Sequence, residues 1–231
     1  MPIFRLIDDM IFPPPDYADP SGLVAVGGDL SSKRLLEAYR VGIFPWYSDD
    51  QPIFWWSPDP RLVLELNDFK LSRSLMKTIK KGVFKVTFDR VFEDVIAACA
   101  AVPRDGQLGT WITAEMLEAY INLHGLGYAH SVETWFEGEL VGGLYGVSLG
   151  KAFFGESMFH RKTDASKVAL ATLVERLKSW GFHFIDAQMT TEHMLRLGAK
   201  EISRRIFLKQ LRSALHHPTK RGKWRIDPLV R

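Results

Sequence analysis

The chain has little cysteine and no long apolar run. Its 231 residues include a single cysteine, Cys99, which excludes an internal disulfide and lies among small apolar residues typical of a buried helix face. No stretch approaches the roughly 20 apolar residues that span a bilayer, and the N-terminus lacks a basic start followed by an apolar run. We therefore expect a cytoplasmic protein that is neither secreted nor inserted in a membrane.

The residue patterns of metal and phosphate sites are also missing. The seven histidines show no HExxH or similar ligand spacing, so we expect no metal. The pair Gly27 and Gly28 is not followed by Gly-Lys-Ser or GxGxxG, and a tight turn before a helix explains it. The run Gly155-Glu-Ser-Met-Phe159 departs from a GxSxG elbow at its last position, which makes Ser157 only a minor nucleophile candidate.

Basic residues are concentrated at the C-terminal end. From Lys200 onward there are ten Lys or Arg and two Asp or Glu, a net charge of +8, so the first 199 residues carry −5 of the total of +3. This asymmetry indicates an anionic partner at a local basic surface. A solvated C-terminal helix and tail would produce the same bias.

Aromatic residues and prolines are concentrated between Gly42 and Arg61. These 20 residues hold three of the seven tryptophans and four of the twelve prolines. Proline removes backbone donors and fixes φ, so the sequence predicts a rigid turning loop here, without ordinary helix or strand. Rigidly held rings can stack on a nucleobase, or they can pack on each other as a small satellite core. We expect both, with at least one ring facing outward.

The rest of the chain predicts a mixture of helices and strands. Helices are predicted from residue 31 or 32 to 42 and over 68–81, 92–101, 113–126, 164–180, 191–197 and 203–215, and strands over 83–88, 128–136, 140–149, 151–159 and 182–188. The fold class is therefore α+β. We expect a small N-terminal α/β domain, residues 1–62, and a domain of residues 63–231 whose element order is that of the GCN5-related acyltransferase fold, with a mixed, largely antiparallel sheet.

A basic face is predicted on the helix over 68–81. On a helical wheel, Leu71, Leu75, Met76 and Ile79 fall in one arc, which should be buried. The opposing arc holds five cations: Lys70, Arg73, Lys77, Lys80 and Lys81. Because no acidic residue is interleaved with them, this face is either simply solvated or binds a phosphate backbone. The basic C-terminal end favours the phosphate backbone.

Two carboxylates lie in strands that are otherwise apolar. Alternation places Asp186 and Gln188 on one side of the strand over 182–188, with Ile185 and Ala187 opposite, and Glu156 lies in a strand of the same predicted sheet. Burial of a carboxylate costs free energy unless it is paired, and an acid and an amide on one face can position an amine. The alternative is a structural role in which Glu156 binds an arginine or a backbone donor.

Six ordered motifs resemble the bacterial leucyl/phenylalanyl-tRNA protein transferases, from about Gly22 to the C-terminal helix. They are Gly42-Ile-Phe-Pro-Trp46, Trp55-Trp-Ser-Pro-Asp-Pro-Arg61, Gly109-Thr-Trp-Ile-Thr113, Leu140-Val-Gly-Gly-Leu-Tyr-Gly146, Gly155-Glu-Ser-Met-Phe159 and Ile185-Asp-Ala-Gln188. The resemblance implies transfer of leucine or phenylalanine from leucyl-tRNA or phenylalanyl-tRNA to an acceptor protein with N-terminal Arg or Lys, which marks it for degradation. We expect a monomer without a cofactor.

The resemblance also implies that tRNA phosphates would bind the basic face of the helix over 68–81, and it implies roles for single residues. Asp186, Gln188 and Glu156 would position or deprotonate the acceptor amine, and Trp46 and Trp111 would receive the 3′-terminal adenosine. The pocket for the transferred side chain would be lined by Leu144, Phe153, Met158, Leu170, Leu173, Leu177 and Ile185. The helical spacing of residues 170, 173 and 177 independently supports a shared apolar wall.

This chain departs from the family pattern at a few positions. Members often have cysteine where this chain has Ala187, a change predicted to face away from the site. Some have Met or Phe where it has Leu144, Leu173 and Leu177, which leaves the preference between leucine and phenylalanine open.

Two other functions stay open on the sequence. One is a coenzyme A-dependent N-acetyltransferase, although residues 160–165 lack the glycines of a pyrophosphate loop. The other is a non-catalytic RNA-binding protein.

Overall fold

Seven helices and two β-sheets form the computed structural model of the chain, which describes residues 3–7, 9–102 and 112–225. The helices are α1 (Ser32–Arg40), α2 (Arg73–Lys80), α3 (Phe92–Ala100), α4 (Ala114–Gly125), α5 (Ala165–Ser179), α6 (Glu192–Arg196) and α7 (Arg204–Leu215). The strands are β1 (Phe4–Leu6), β2 (Leu23–Gly27), β3 (Phe44–Pro45), β4 (Phe54–Trp56), β5 (Arg61–Glu65), β6 (Lys85–Phe88), β7 (Ala129–Phe136), β8 (Glu139–Leu149), β9 (Ala152–His160), β10 (Phe184–Gln188) and β11 (Lys200–Ile202). Within the described ranges, no helix combines the length and hydrophobicity needed to cross a bilayer.

The two sheets are mixed and largely antiparallel. The smaller sheet has the order β1-β2-β4-β3, and the larger has the order β11-β5-β10-β9-β8-β7-β6. Strands β1 and β2 pair in parallel, as do β9 and β10, and the other pairs are antiparallel. The predicted α+β class and sheet type are confirmed. The boundary after residue 62 falls inside β5, and the division at that point stays a proposal.

All seven predicted helices and all five predicted strands are present, with small differences at their ends. Four short strands, β1, β2, β5 and β11, were not predicted from the sequence. The prediction of a loop throughout residues 42–61 was wrong. Two short strands, β3 and β4, form there and pair with each other. Pro45 is accommodated because β3 lies at the edge of the smaller sheet, where a missing donor breaks no ladder.

Helix α2 is shorter and less buried than predicted. The Ser72 hydroxyl accepts a hydrogen bond from Leu75 N–H and caps the helix, so Lys70 lies before it. Of the apolar arc only Leu75 is buried; the exposed fractions are 37% for Leu71, 38% for Met76 and 39% for Ile79. The prediction that the whole arc is buried was wrong: Leu71 lies before the helix, and the side chains of Met76 and Ile79 are partly exposed to solvent. The five cations of the basic face are all exposed.

Neighbouring residues of the larger sheet alternate between two hydrophobic clusters. Leu144 and Phe153 pack in the cluster that contains the inward face of α5, whereas Tyr145 and Phe154 pack in the cluster of α1, α3 and α4. Cys99 is fully buried in the second cluster, which confirms its predicted place in the core.

The C-terminal segment after α7 returns to the larger sheet. The indole of Trp224 is 2% exposed and stacks on His130, with ring centroids 3.7 Å apart. The Trp224 backbone N–H donates to Asp89 Oδ2 at 2.6 Å, and the same oxygen lies 2.8 Å from His130 Nδ1. Part of the basic C-terminal end is therefore fixed to the core rather than forming a solvated tail.

We expect Trp224→Ala to lower the free energy of unfolding by about 3–5 kcal/mol, because it opens a cavity among buried rings. Urea denaturation measures the loss. Lys223→Ala, at the adjacent exposed position, is the matched control and should change stability by less than about 0.5 kcal/mol. Equal unfolding midpoints for the two variants would show that the segment does not anchor the fold.

Candidate active site

The site lies where β9 and β10 separate. The two strands are paired only from Phe184 opposite Ala152 to Asp186 opposite Phe154. Beyond that point β9 stays paired with β8 but bulges at Glu156, since Tyr145 pairs with Ser157 and Gly146 with Gly155. The bulge and the end of the pairing place functional groups of both strands beside an open gap.

A cavity of about 270 Å³ occupies this gap and extends towards α5. Six of the seven predicted pocket residues line it: Leu144, Phe153, Met158, Leu170, Leu173 and Ile185. The structure does not place the seventh there; Leu177 is fully buried in the neighbouring hydrophobic cluster, farther along α5. The start of α6 adds Thr191, His193 and Met194 to the lining. The cavity offers an apolar side chain a largely apolar surface.

Residue 187 does not face away from the site. Ala187 and Ile185 both line the cavity, while the Asp186 side chain points to the other side of β10 and contacts Arg61. The predicted orientation of Ala187 was therefore wrong. Alternation along the strand was correct, but the cavity lies on the apolar side of β10 rather than on the carboxylate side.

Glu156 is held by three donors and also lines the cavity. Its Oε1 accepts hydrogen bonds from the Tyr39 hydroxyl at 2.7 Å and from Gln188 Nε2 at 2.8 Å, and its Oε2 accepts one from the Tyr120 hydroxyl at 3.1 Å. The two hydroxyl oxygens lie 2.5 Å apart. Burial raises the pKa of Glu156 to about 7, although the three hydrogen bonds act in the opposite direction.

Asp186 forms a buried ion pair and does not reach the cavity. Arg61 donates from Nε to Asp186 Oδ1 at 2.9 Å and from Nη2 to Oδ2 at 2.7 Å, and both side chains have zero exposure. Asp186 Oδ1 also accepts a hydrogen bond from the Gln188 backbone N–H at 2.9 Å. Gln188 has a φ of +62°, so this bond fixes a strained turn that directs its side chain to Glu156.

Three residues of this site were not predicted from the sequence. Tyr39 lies among the buried residues of α1, Tyr120 lies within α4 outside the six motifs, and Arg61 is the last residue of a motif to which no role is attached. Helical periodicity explains a buried tyrosine as core packing, so it gave no signal that two hydroxyl groups converge on one carboxylate. An arginine between a proline and an apolar strand was the only local sign of a buried ion pair.

The aromatic segment holds Trp46 half-buried. Its ring contacts Trp56 edge to face with centroids 5.8 Å apart, and Trp56 Nε1 donates to the Trp46 carbonyl at 2.7 Å. Trp55 is fully buried and donates to the Gly27 carbonyl at 2.8 Å. The other predicted adenosine contact, Trp111, lies outside the described residues.

Two family models match the chain. Residues 63–212 match leucyl/phenylalanyl-tRNA protein transferase, and residues 28–59 match the N-terminal domain of the same family. Proteins named leucyl/phenylalanyl-tRNA protein transferase are similar over nearly the full length. The one from Syntrophotalea carbinolica is 60% identical over 95% of both chains, and the one from Myxococcus xanthus is 58% identical over 97% of both. The solved structure of a GCN5-related N-acetyltransferase from Kribbella flavida covers 73% of this chain and 60% of its own, with a TM-score of 0.31 and 12% identity, too distant to carry an argument.

The raised pKa of Glu156 predicts a pH-dependent stability. The unfolded chain releases this proton near pH 4.5 and the folded chain near pH 7, so the free energy of unfolding should fall between these values by on the order of 3 kcal/mol. Above about pH 7 this contribution is constant. Urea denaturation at several pH values measures it: Glu156→Gln should remove the fall, and Glu192→Gln, at an exposed position, should retain it. Identical pH profiles for Glu156→Gln and the unsubstituted protein would contradict the assignment.

Proposed function

Since the chain belongs to the leucyl/phenylalanyl-tRNA protein transferase family, we propose that it transfers leucine or phenylalanine from its tRNA to the N-terminal Arg or Lys of an acceptor protein. Family membership makes it an aminoacyl-tRNA protein transferase, with a tRNA and a protein as substrates. The identity of the amino acid and of the acceptor residue is the proposal. The observation that supports it is one cavity lined by both apolar side chains and Glu156.

The donor side of the reaction needs an apolar pocket beside a proton acceptor. The transferred side chain would fill the cavity near Leu170 and Leu173. This placement would hold the ester carbonyl at the mouth of the cavity, beside Glu156. An aminoacyl ester is already activated, so alignment of the two reactants supplies much of the rate. The exposed cations of α2 would bind tRNA phosphates, and Trp46, with Trp111, would stack on the 3′-terminal adenosine.

The acceptor α-amine must lose a proton before it can attack. Its pKa is about 8, and Glu156, with a pKa of about 7, is suited to accept that proton near neutral pH. The amine nitrogen then forms the peptide bond with the ester carbonyl carbon. The ester C–O bond breaks, and the ribose oxygen leaves with a proton returned by the site. Gln188, which donates to Glu156, would orient the amine.

Asp186 has a different role in this scheme. Both of its oxygens are engaged by Arg61 and it is fully buried, so it would act as a positioning residue for Gln188 rather than as the base. The ion pair and the Gln188 backbone hydrogen bond would together fix the distance between the amide and Glu156.

A transfer assay tests the proposed function. With labelled leucyl-tRNA or phenylalanyl-tRNA, label should reach an acceptor that begins with Arg or Lys but not the same acceptor beginning with Ala. Glu156→Gln keeps the shape and removes the proton acceptor, so kcat should fall by roughly 10²–10⁴-fold. Glu192→Gln, at an exposed position outside the cavity, is the control. Transfer from acetyl-coenzyme A, or equal transfer to the Ala acceptor, would contradict the proposal.

The positioning role of Asp186 makes a second prediction. Asp186→Ala leaves the Arg61 charge buried without its partner, which should cost about 3–5 kcal/mol of stability. In protein that remains folded, kcat should fall while the KM for leucyl-tRNA stays unchanged, because only Gln188 is displaced. Arg61→Lys, which keeps the charge but loses the two parallel hydrogen bonds, should show the same split between kcat and KM. Loss of tRNA affinity in Asp186→Ala, or full kcat in Arg61→Lys, would overturn this role.

A further inference from the structure

Glu156 forms a closed ring of contacts with two phenols. The Tyr39 hydroxyl oxygen lies 2.7 Å from Oε1 of the carboxylate and the Tyr120 hydroxyl oxygen lies 3.1 Å from Oε2, while the two hydroxyl oxygens lie 2.5 Å apart. Tyr39 belongs to α1 and Tyr120 to α4, and both side chains are fully buried. Because water does not reach the phenols, the three oxygen–oxygen contacts depend on the protons of the ring itself.

The ring has one contact more than it has phenolic protons. Each hydroxyl carries one proton. Burial, and next the negative charge of Glu156, raise the pKa of Tyr39 and of Tyr120 well above the usual value, so both protons stay in place near neutral pH. When Glu156 is ionised, two protons therefore serve three contacts. A proton added to Glu156 completes the set: Oε2 then donates to Tyr120, Tyr120 to Tyr39, and Tyr39 to Oε1.

The two carboxylate oxygens of Glu156 are not equivalent. Oε1 accepts hydrogen bonds from the Tyr39 hydroxyl and from Gln188 Nε2, which occupy both of its acceptor positions. Among the residues that the structure describes, Tyr120 alone donates to Oε2, so that oxygen keeps one acceptor position. Because Glu156 also lines the apolar cavity, Oε2 is the oxygen that can accept a further proton there.

The surroundings of Glu156 favour uptake of that proton. Asp186 lies on the adjacent strand β10, and its negative charge favours the protonated acid, as does burial. His193 of α6 and Tyr145 of β8 also line the cavity and can titrate. Burial lowers the pKa of His193, so this side chain is mainly neutral at pH 7 and does not hold Glu156 in its ionised form.

We propose that Glu156 accepts the proton of the acceptor amine on Oε2, and that Tyr39 and Tyr120 are positioning residues that hold this proton until the ester breaks. The inference rests on the proposed function, in which Glu156 is the base. As the proton arrives, the Tyr120 hydroxyl turns from Oε2 to the Tyr39 oxygen. The amine nitrogen bonds to the ester carbonyl carbon, the ester C–O bond breaks, and the proton passes from Oε2 to the leaving ribose oxygen.

Carbon-13 NMR of the substrate-free protein tests the ring. The Glu156 Cδ signal, identified by its loss in Glu156→Gln, should titrate near pH 7, and the Cζ signals of Tyr39 and Tyr120 should move with the same midpoint. Tyr120→Phe should raise the pKa of Glu156 from about 7 to about 8, because the anion loses a charge-assisted hydrogen bond. Tyr128→Phe, a half-buried phenol outside the cavity, is the matched control and should leave it unchanged. Tyrosine signals that do not follow Glu156 would overturn the ring.

Leucyl transfer tests the role of the ring in the reaction. At pH 7, Tyr120→Phe should lower kcat roughly tenfold with an unchanged KM for leucyl-tRNA, because the apolar cavity keeps its shape. In the Glu156→Gln background the same substitution should have no further effect, since the phenols act only through this carboxylate. A further fall of kcat in that background, or full kcat in Tyr120→Phe, would overturn the positioning role. If the unsubstituted protein transfers no leucine, the proposed function fails, and the NMR titration still decides whether the ring takes up a proton.

Discussion

The buried pair of Arg61 and Asp186 is the contact on which the candidate site depends. Two charges without exposure are tolerated only when each is paired and hydrogen-bonded, and here two parallel bonds achieve this. The guanidinium also lies over Phe44 at 4.7 Å and over Phe207 at 4.5 Å. One arginine therefore joins β5, β10, the smaller sheet and α7. The orientation of Gln188 follows, because its backbone N–H binds the same carboxylate.

Glu156 lies where the parallel strands β9 and β10 separate. Because β10 ends while β9 continues, Glu156 lies at a bulge beside the gap between the strands. Its carboxylate accepts hydrogen bonds from two tyrosine hydroxyl groups and one amide. Desolvation favours the protonated acid and the donors favour the anion, and the pKa of about 7 is the balance of the two. A carboxylate exposed to water would have a lower pKa, so it would stay ionised at neutral pH and would be a weaker base.

Local sequence patterns predicted the features that depend on periodicity: the helices, the antiparallel strands β7 to β9, and the apolar wall of α5 at Leu170 and Leu173. They failed where the outcome depends on tertiary contacts. Helical spacing placed Leu177 with its neighbours, yet the cavity ends before it. Apolar spacing also predicted burial of Met76, which is 38% exposed. Both Tyr39 and Tyr120 bind Glu156, although they precede it in the chain by 117 and 36 positions, respectively. No local sequence pattern spans such separations.

The two reactants of the proposed transfer carry opposite charges. The tRNA is a polyanion and the acceptor terminus is a cation, so a surface that attracts one repels the other. Thr78 of α2 donates a hydrogen bond to Asp164 at the start of α5, so the exposed Lys77 beside it lies near this end of α5. Glu156 is the carboxylate that the apolar cavity presents, and it faces the tyrosines of α1 and α4. In the proposed transfer, the acceptor amine would therefore approach Glu156 from the side away from the cations of α2.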